Sequence, residues 1–244
     1  PFPPARPVFH NLNAPEDAVR RLILIAAFAA AGLPASADAV LQKAKSQPGG
    51  GPIYAFDLDY SDGTDQFRMS VDPTQPEGKR VTRFSPDPKT LKGDSAKTAE
   101  RLMARTEGKI MCSEFAGNIP ANAKRASETG TTATYTFTPA PGPEDGEMAK
   151  AYKYLSGKAV IEKETGNILS FEMVAPKAFK PMAVAKVDKM SFKVACKPAP
   201  DGRTHIDTFR FNMAGSAMMQ SFDQNETRKV SNLKQVAASG YGAP

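Results

Sequence analysis

Tryptophan is absent from the 244 residues, and histidine appears only at His10 and His205. Cysteine is limited to Cys112 and Cys196. No run of five or more Lys or Arg occurs, and no apolar stretch reaches the roughly 20 residues a membrane-spanning helix needs. Each shortage closes off a chemistry. A structural zinc site wants four Cys or His ligands at close spacing, so no metal is expected. Nucleic-acid binding relies on a clustered basic face interleaved with stacking aromatics. Here the Lys and Arg are dispersed despite a formal net charge of +6, and no nucleic-acid partner is expected. The Gly-x-Ser-x-Gly elbow of many hydrolases is missing, as is any nucleotide-binding glycine fingerprint. No cofactor is expected.

What is present begins with an export signal. Arg20 and Arg21 precede an apolar run from Leu22 to Leu33, Pro34 breaks the run, and Ala35-Ser36-Ala37 follows. Charged region, apolar region and small residues come in the order a signal peptidase reads. Cleavage after Ala37 leaves Asp38 as the new N-terminus, and cleavage after Ala39 is the alternative. The competing reading is a buried core helix. No cysteine lies at the cut, so lipid anchoring is not expected. The wider twin-arginine motif is missing, which points to general secretion. Residues 1–18, with Pro1, Pro3, Pro4 and Pro7, do not suit a signal. The expectation is that translation starts at Val19 and that 1–18 is a non-native upstream extension. The predicted organisation is thus a signal over 19–37, one β-rich domain over 38–236 and a disordered tail over 237–244. The mature protein carries no transmembrane anchor and is periplasmic or secreted.

Removing residues 1–37 takes away three Arg and two acids, leaving 207 of the 244 residues at a formal charge of +5. That length supports one good core. Cys112 and Cys196 then meet an oxidising compartment. One disulfide between them closes a loop of about 85 residues, worth about 4–5 kcal/mol by the chain-entropy argument. Two buried free thiols are the alternative.

Periodicity places the elements. Asp38 to Ser46 reads as a short amphipathic helix, ended by Gln47-Pro48-Gly49-Gly50-Gly51-Pro52. These glycines lack the Lys-Ser/Thr of a phosphate loop and read as a connector. Tyr54, Phe56, Leu58 and Tyr60 alternate with Asp57 and Asp59, and Phe67, Met69 and Val71 alternate with Gln66, Arg68 and Ser70. Across the turn Ser61–Thr64 this makes a hairpin with one wet face. Lys79–Phe84 is a third strand. Asp57, Asp59, Asp62 and Asp65 suggest a calcium loop, but Gly63 stands seventh where an EF-hand needs its glycine sixth.

Ser95 to Glu107 turns helical, with Ala99, Leu102, Met103 and Thr106 at helical spacing, Asp94 or Ser95 as cap and Gly108 as stop. Gly130–Pro139 is strand-like, Pro139–Gly146 a loop and Glu147–Leu155 a short helix. A meander follows: Lys158–Glu164, Ile168–Val174, Met182–Cys196, Thr204–Ala214 and a strand within Phe222–Val236. The fold class expected is α+β: a single large curved antiparallel sheet, a half-barrel-like meander, with a few helices packed on it.

His205 is the only histidine beyond the signal. A catalytic role needs a nucleophile and an orienting acid within reach, and Glu162 and Glu164 read equally well as exposed charges, so no catalytic residue is assigned. The feature that leans towards binding is the methionine. All ten lie beyond residue 37, several beside Phe on strand faces. Met and Phe suit a deformable apolar cavity. Phe56, Phe67, Met69, Phe171, Met173, Met190, Phe192, Phe209, Phe211 and Met213 are the ligand-cavity candidates. An ordinary filled core explains the same pattern.

A signal, a first helix, three antiparallel strands, a middle helix and a long meander resemble the LolA/LolB-like lipoprotein-carrier superfamily of bacterial envelopes. The resemblance runs from Asp38 to Val236 and lies in element order rather than a motif. It implies a curved sheet half-wrapped around helices and a lipid-accommodating cavity, with acyl chains or another apolar molecule as ligand. The function expected is therefore a non-catalytic binding or carrier protein for a lipid-like ligand. The alternatives are an envelope interaction module with a filled core and a protein partner, and an exported hydrolase.

Overall fold

A computed structural model describes residues 38–47, 50–141 and 149–237. The signal and upstream extension (1–37) and positions 238–244 of the tail lie outside the described residues, as do parts of the Gln47–Pro52 connector and the Pro139–Gly146 loop. Among the described residues, no helix is long and apolar enough to cross a membrane.

Helix α1 (Ala39–Lys45) starts where Asp38 accepts the backbone N–H groups of Val40 and Leu41 at 3.1 and 3.2 Å, which satisfies two donors that a helix start leaves orphaned. Its buried residues are Leu41 and Ala44. Strands β1 (Ile53–Ser61) and β2 (Gln66–Val71) form the expected hairpin, with Leu58 opposite Met69 and Tyr60 opposite Phe67. Every second side chain is buried along both. Strand β3 (Val81–Ser85) completes the N-terminal trio.

Helix α2 (Gly93–Arg105) buries Ala99 and Leu102. Its start differs from the sequence expectation. It begins at Gly93, ahead of both Asp94 and Ser95, with Lys92 at the cap position and no side-chain cap; Ser95, inside the first turn, donates to Asp65 at 2.6 Å. Gly108, expected as the stop, lies beyond the helix at φ +82°, and its Cα abuts Pro73, where an added Cβ would stand 2.7 Å from the ring.

The chain then crosses the sheet through a 3-10 turn (Cys112–Asn118) to the opposite edge. From there β4 (Lys124–Glu128), β5 (Thr132–Phe137), helix α3 (Ala149–Tyr152), β6 (Ser156–Glu162), β7 (Ile168–Val174), β8 (Phe179–Met182), β9 (Ala185–Pro198), β10 (Thr204–Ala217) and β11 (Gln220–Ala237) follow. The result is one open antiparallel sheet of eleven strands ordered β3-β2-β1-β11-β10-β9-β7-β6-β5-β4, with β8 added to the far end of β9. The first hairpin and the last strand therefore meet in mid-sheet, with Leu58 opposite Val230. The predicted strand Met182–Cys196 is β9, starting at Ala185, and β8 just before it was not expected; the last strand is longer than expected, Ala237 included. Strand β4 was not anticipated.

The buried apolar residues fall into two clusters. The larger joins α1 and the 3-10 turn to β5, β6, β7 and β9, and includes Leu41, Tyr135, Ile161, Ile168 and Phe171. The smaller joins α2 to β1 and β2 with Val230 of β11. Each fully buried large side chain contributes about 1.5–3 kcal/mol. Cys112 and Cys196 form the predicted disulfide, with Cα atoms 6.4 Å apart, which ties the crossing segment to β9.

Asp38 locks α1 to the sheet edge. Besides capping the helix, it accepts from Tyr135 Oη at 2.6 Å and from Arg125 Nε and Nη2 at 3.0 and 2.8 Å. Burial alone would raise its pKa. The Arg125, Tyr135 and Leu41 hydrogen bonds outweigh that and bring it down to about 2. Tyr135 moves the other way, to about 12, through burial and its bond to the Asp38 carboxylate.

Candidate functional site

Between the two clusters the helix-bearing face of the sheet is not filled. A cleft of about 380 Å³ lies there, within the ~300–1,000 Å³ range of small-molecule sites. Strands β1, β9, β10 and β11 supply Phe56, Leu58, Phe192, Ile206, Phe209 and Val230 to its lining, and the 3-10 turn supplies Phe115. Cross-strand alternation puts these on one face.

The aromatic wall is continuous. Phe115 stacks on Phe171 at 5.1 Å and meets Phe192 edge-on at 5.8 Å. Phe192 meets Phe209 edge-on at 5.2 Å. Such offset and edge geometries suit the ring quadrupoles. Arg228 closes the row, its guanidinium 5.3 Å above the Phe209 ring and bonded to Glu226.

The rim is charged. Arg105 ends α2, and Glu107, Lys109 and Glu114 come from the crossing segment. Lys109 pairs with Glu107 at 3.1 Å. The segment from Thr106 to Met111 is a strap across the sheet, fixed at its far end by three devices. Ile206 N–H donates to Ile110 O at 2.8 Å, Met111 forms a β-bridge with His205, and Cys112 is covalently held to Cys196. On the strap's other side lies a second cleft, of about 260 Å³, lined by Gly50, Gly51, Tyr54, Arg80 and Arg203 among others. The Tyr54 hydroxyl there is buried. Burial first, and the nearby Asp201 charge second, raise its pKa.

The ten cavity candidates do not share one place. Phe56, Phe192 and Phe209 line the cleft. Phe67 and Met69 fill the smaller cluster, and Phe171, Met173 and Met190 fill the larger. Phe211 and Met213 are half-buried on β10 beyond the cleft, packed against the larger cluster. Leu58, Phe115, Ile206 and Val230 were missed as lining residues. Strand alternation marks Leu58 as inward, but nothing in the sequence around Phe115 places a 3-10 turn over the sheet.

The other chemistry-bearing residues are engaged elsewhere. His205 is buried, and its Nδ1 lies 2.9 Å from the Ile206 carbonyl rather than beside a hydroxyl and a carboxylate. Asp57 accepts from Ser70 and Asn232, both at 2.8 Å. Asp59 is held by Arg68, Asp65 by Ser95. Asp62 accepts the Thr64 and Asp65 N–H groups within its own turn. Glu162 accepts from Thr165 at 2.5 Å. Among the described residues no three His, Cys, Asp or Glu side chains converge to hold a metal ion. Neither a protein family, nor a curated protein, nor a solved structure matches the chain.

Proposed function

We propose that this chain is an exported, periplasmic or secreted, non-catalytic binding or carrier protein for an apolar, acyl-chain-like ligand. The observation that carries the reading is the gap between the two core clusters: an aromatic-walled cleft that the fold leaves unfilled, with charged side chains of both signs at its rim. An apolar interior selects hydrocarbon without directional contacts. At the mouth Lys109 and Arg228 are each paired with a glutamate, and Arg105 is the cation best placed to meet a carboxylate or phosphate head group. The order of charged, apolar and small residues from Arg20 to Ala37 supports export, as does the disulfide, since such bonds persist in oxidising compartments.

The test is displacement of a fluorescent fatty acid from purified, delipidated protein, together with native mass spectrometry of the protein before delipidation. Saturable one-to-one binding is expected. Phe209→Ala removes the inner wall and weakens binding about tenfold, since a lost ring face is worth about 1.5 kcal/mol. No saturable binding by wild-type protein, or equal binding by F209A, rejects the reading. Sequencing the exported protein's N-terminus checks the compartment, with Asp38 as the residue expected first.

A further inference from the structure

One end of the sheet presents hydrocarbon to solvent. The turn joining β10 to β11 is two residues long, Met218-Met219, and these are 76% and 101% exposed. The neighbouring β8–β9 turn adds Met182 and Val184, at 52% and 56%. The two tips are joined, Met218 N–H donating to Val184 O at 2.9 Å. Four of the five exposed large hydrophobics among the described residues therefore sit in one knob.

The knob projects. Strand β1 pairs with β11 only from Thr227 onward, whereas β10 pairs with β11 down to Gln220. The stretch Gln220–Glu226 has no described strand on its second edge, so the ribbon extends roughly 20 Å beyond β1 at about 3.3 Å per residue.

Local folding preference does not account for the methionines. Met218 and Met219 have φ of +48° and +66°, the left-handed conformation that two-residue hairpin turns require and that favours Asn-Gly. Side chains with a long stem are disfavoured there. A tip chosen for turn stability alone would carry neither Met. Exposed lysines lie on the strands leading to the tips: Lys180 on β8, Lys186 and Lys189 on β9, and Lys177 just before β8, against exposed Asp188 and Asp223, an excess of two positive charges, with Lys186 paired to Asp188 at 2.5 Å. Protruding unbranched apolar side chains with a basic collar match an anionic lipid surface, where hydrocarbon enters the interface and ammonium groups meet head-group phosphates. Along β10, half-buried Met213, Phe211 and Phe209 lead from this end back towards the cleft.

We infer that the paired tips Met182–Val184 and Met218–Met219 dock this protein on anionic bilayers. The inference extends the carrier reading by naming the surface with which ligand is exchanged, and its test is independent of ligand binding. The substitution pair Met218→Asn and Met219→Gly removes both apolar side chains while installing the residues the turn prefers, so the variant folds at least as well as wild type. Flotation is measured with vesicles of phosphatidylethanolamine and phosphatidylglycerol, and with pure phosphatidylcholine. Wild type is expected to float with the anionic vesicles, less at high salt and less with the neutral ones. The double variant loses at least about tenfold in partition, from the transfer free energy of two methionines, yet keeps its fluorescent fatty-acid affinity. Absence of wild-type flotation, or undiminished flotation of the variant, overturns the inference. So does sedimentation equilibrium showing a wild-type dimer that the variant abolishes, which would assign the knob to a second copy of the chain. Flotation without any fatty-acid binding leaves docking standing and removes the carrier reading alone.

Discussion

Asp38 is a single side chain that serves three partners, and its removal should be separable into parts. In Asp38→Ala the helix cap is lost, at about 1 kcal/mol, along with charge-assisted bonds to Arg125 and Tyr135, each worth about 1.5–3 kcal/mol when well shielded. Asp38 and Arg125 are 24% and 35% exposed, so solvent discounts the ionic part, and a total of about 2–4 kcal/mol is expected. Asp38→Asn keeps a good cap and should lose only about 1–2 kcal/mol. The two variants thus divide cap from charge. The pH dependence checks the division. The carboxyl is held at about 2 against an ordinary 3.8. A depressed carboxylate pKa stabilises the fold fully above the unfolded value and progressively less as pH falls through the folded one. The gap between wild type and D38N should accordingly be constant above about pH 5 and shrink between about pH 4 and pH 2. Urea unfolding followed by far-UV circular dichroism measures both, the chain having no tryptophan for fluorescence. A D38A cost below about 0.5 kcal/mol, or a D38N gap that persists undiminished at pH 2, would refute the assignment of Asp38 as the α1 anchor.

Further outcomes follow from the same contacts. Reducing Cys112–Cys196, or replacing both by Ala, frees a loop with a sequence separation of 84 and should cost about 4–5 kcal/mol by the chain-entropy argument; an unchanged urea midpoint under dithiothreitol would contradict this. Gly166 sits at φ +80° with α1 against it, an added Cβ standing 2.8 Å from Lys43 Cγ and 2.9 Å from Ala44 N. Gly166→Ala should therefore destabilise by roughly 2–4 kcal/mol, read as a lowered thermal midpoint. If the cleft takes acyl chains, affinity should rise about fourfold per added methylene, from about 0.8 kcal/mol each, and level off once the cleft is full. A flat dependence on chain length, measured by titration calorimetry, would place the ligand elsewhere.

The elements most legible in the sequence were those that alternate strictly. Tyr54 to Tyr60 and Phe67 to Val71 have one wet and one buried face, and their period of two showed both the strands and their inward sets. Ile168–Val174 was legible from the turn Glu164–Asn167 before it, its burial being irregular at Leu169 and Ser170. Strand β4 was not, because all five of its side chains, Lys124 to Glu128, are exposed. An edge strand guarded by charge carries no apolar period. Strand β8 was not legible either: Phe179–Met182 is four residues with Pro181 inside it, and the apolar Met182 and Val184 pulled the start of the next strand back into the turn. Pairing partners are likewise invisible to periodicity, which is why Leu58 and Val230, far apart in sequence, gave no sign of meeting. The cleft was half legible. Phe56, Phe192 and Phe209 stand out as inward-facing, yet the rim depends on where the Thr106–Met111 strap crosses, and that is set by the Cys112–Cys196 bond and the Ile110–Ile206 hydrogen bond rather than by any local pattern. The exposed methionines were read with the buried ones, since hydropathy does not distinguish a tip from a core.

The seating of β11 beside β1 governs how this protein can be assembled. The N-terminal trio of strands has no partner on its β1 edge until the eighteen residues of β11 arrive, because β11 is the strand that joins the trio to the rest of the sheet. A chain that stops at Ala217 has two ribbons of sheet, each with a naked edge of backbone donors and acceptors at the seam. Completion is thus a closing zip made by β11, slow because its contacts span almost the whole described length, and a truncation just before Gln220 should leave two partial sheets prone to pairing with their neighbours' edges instead of with each other.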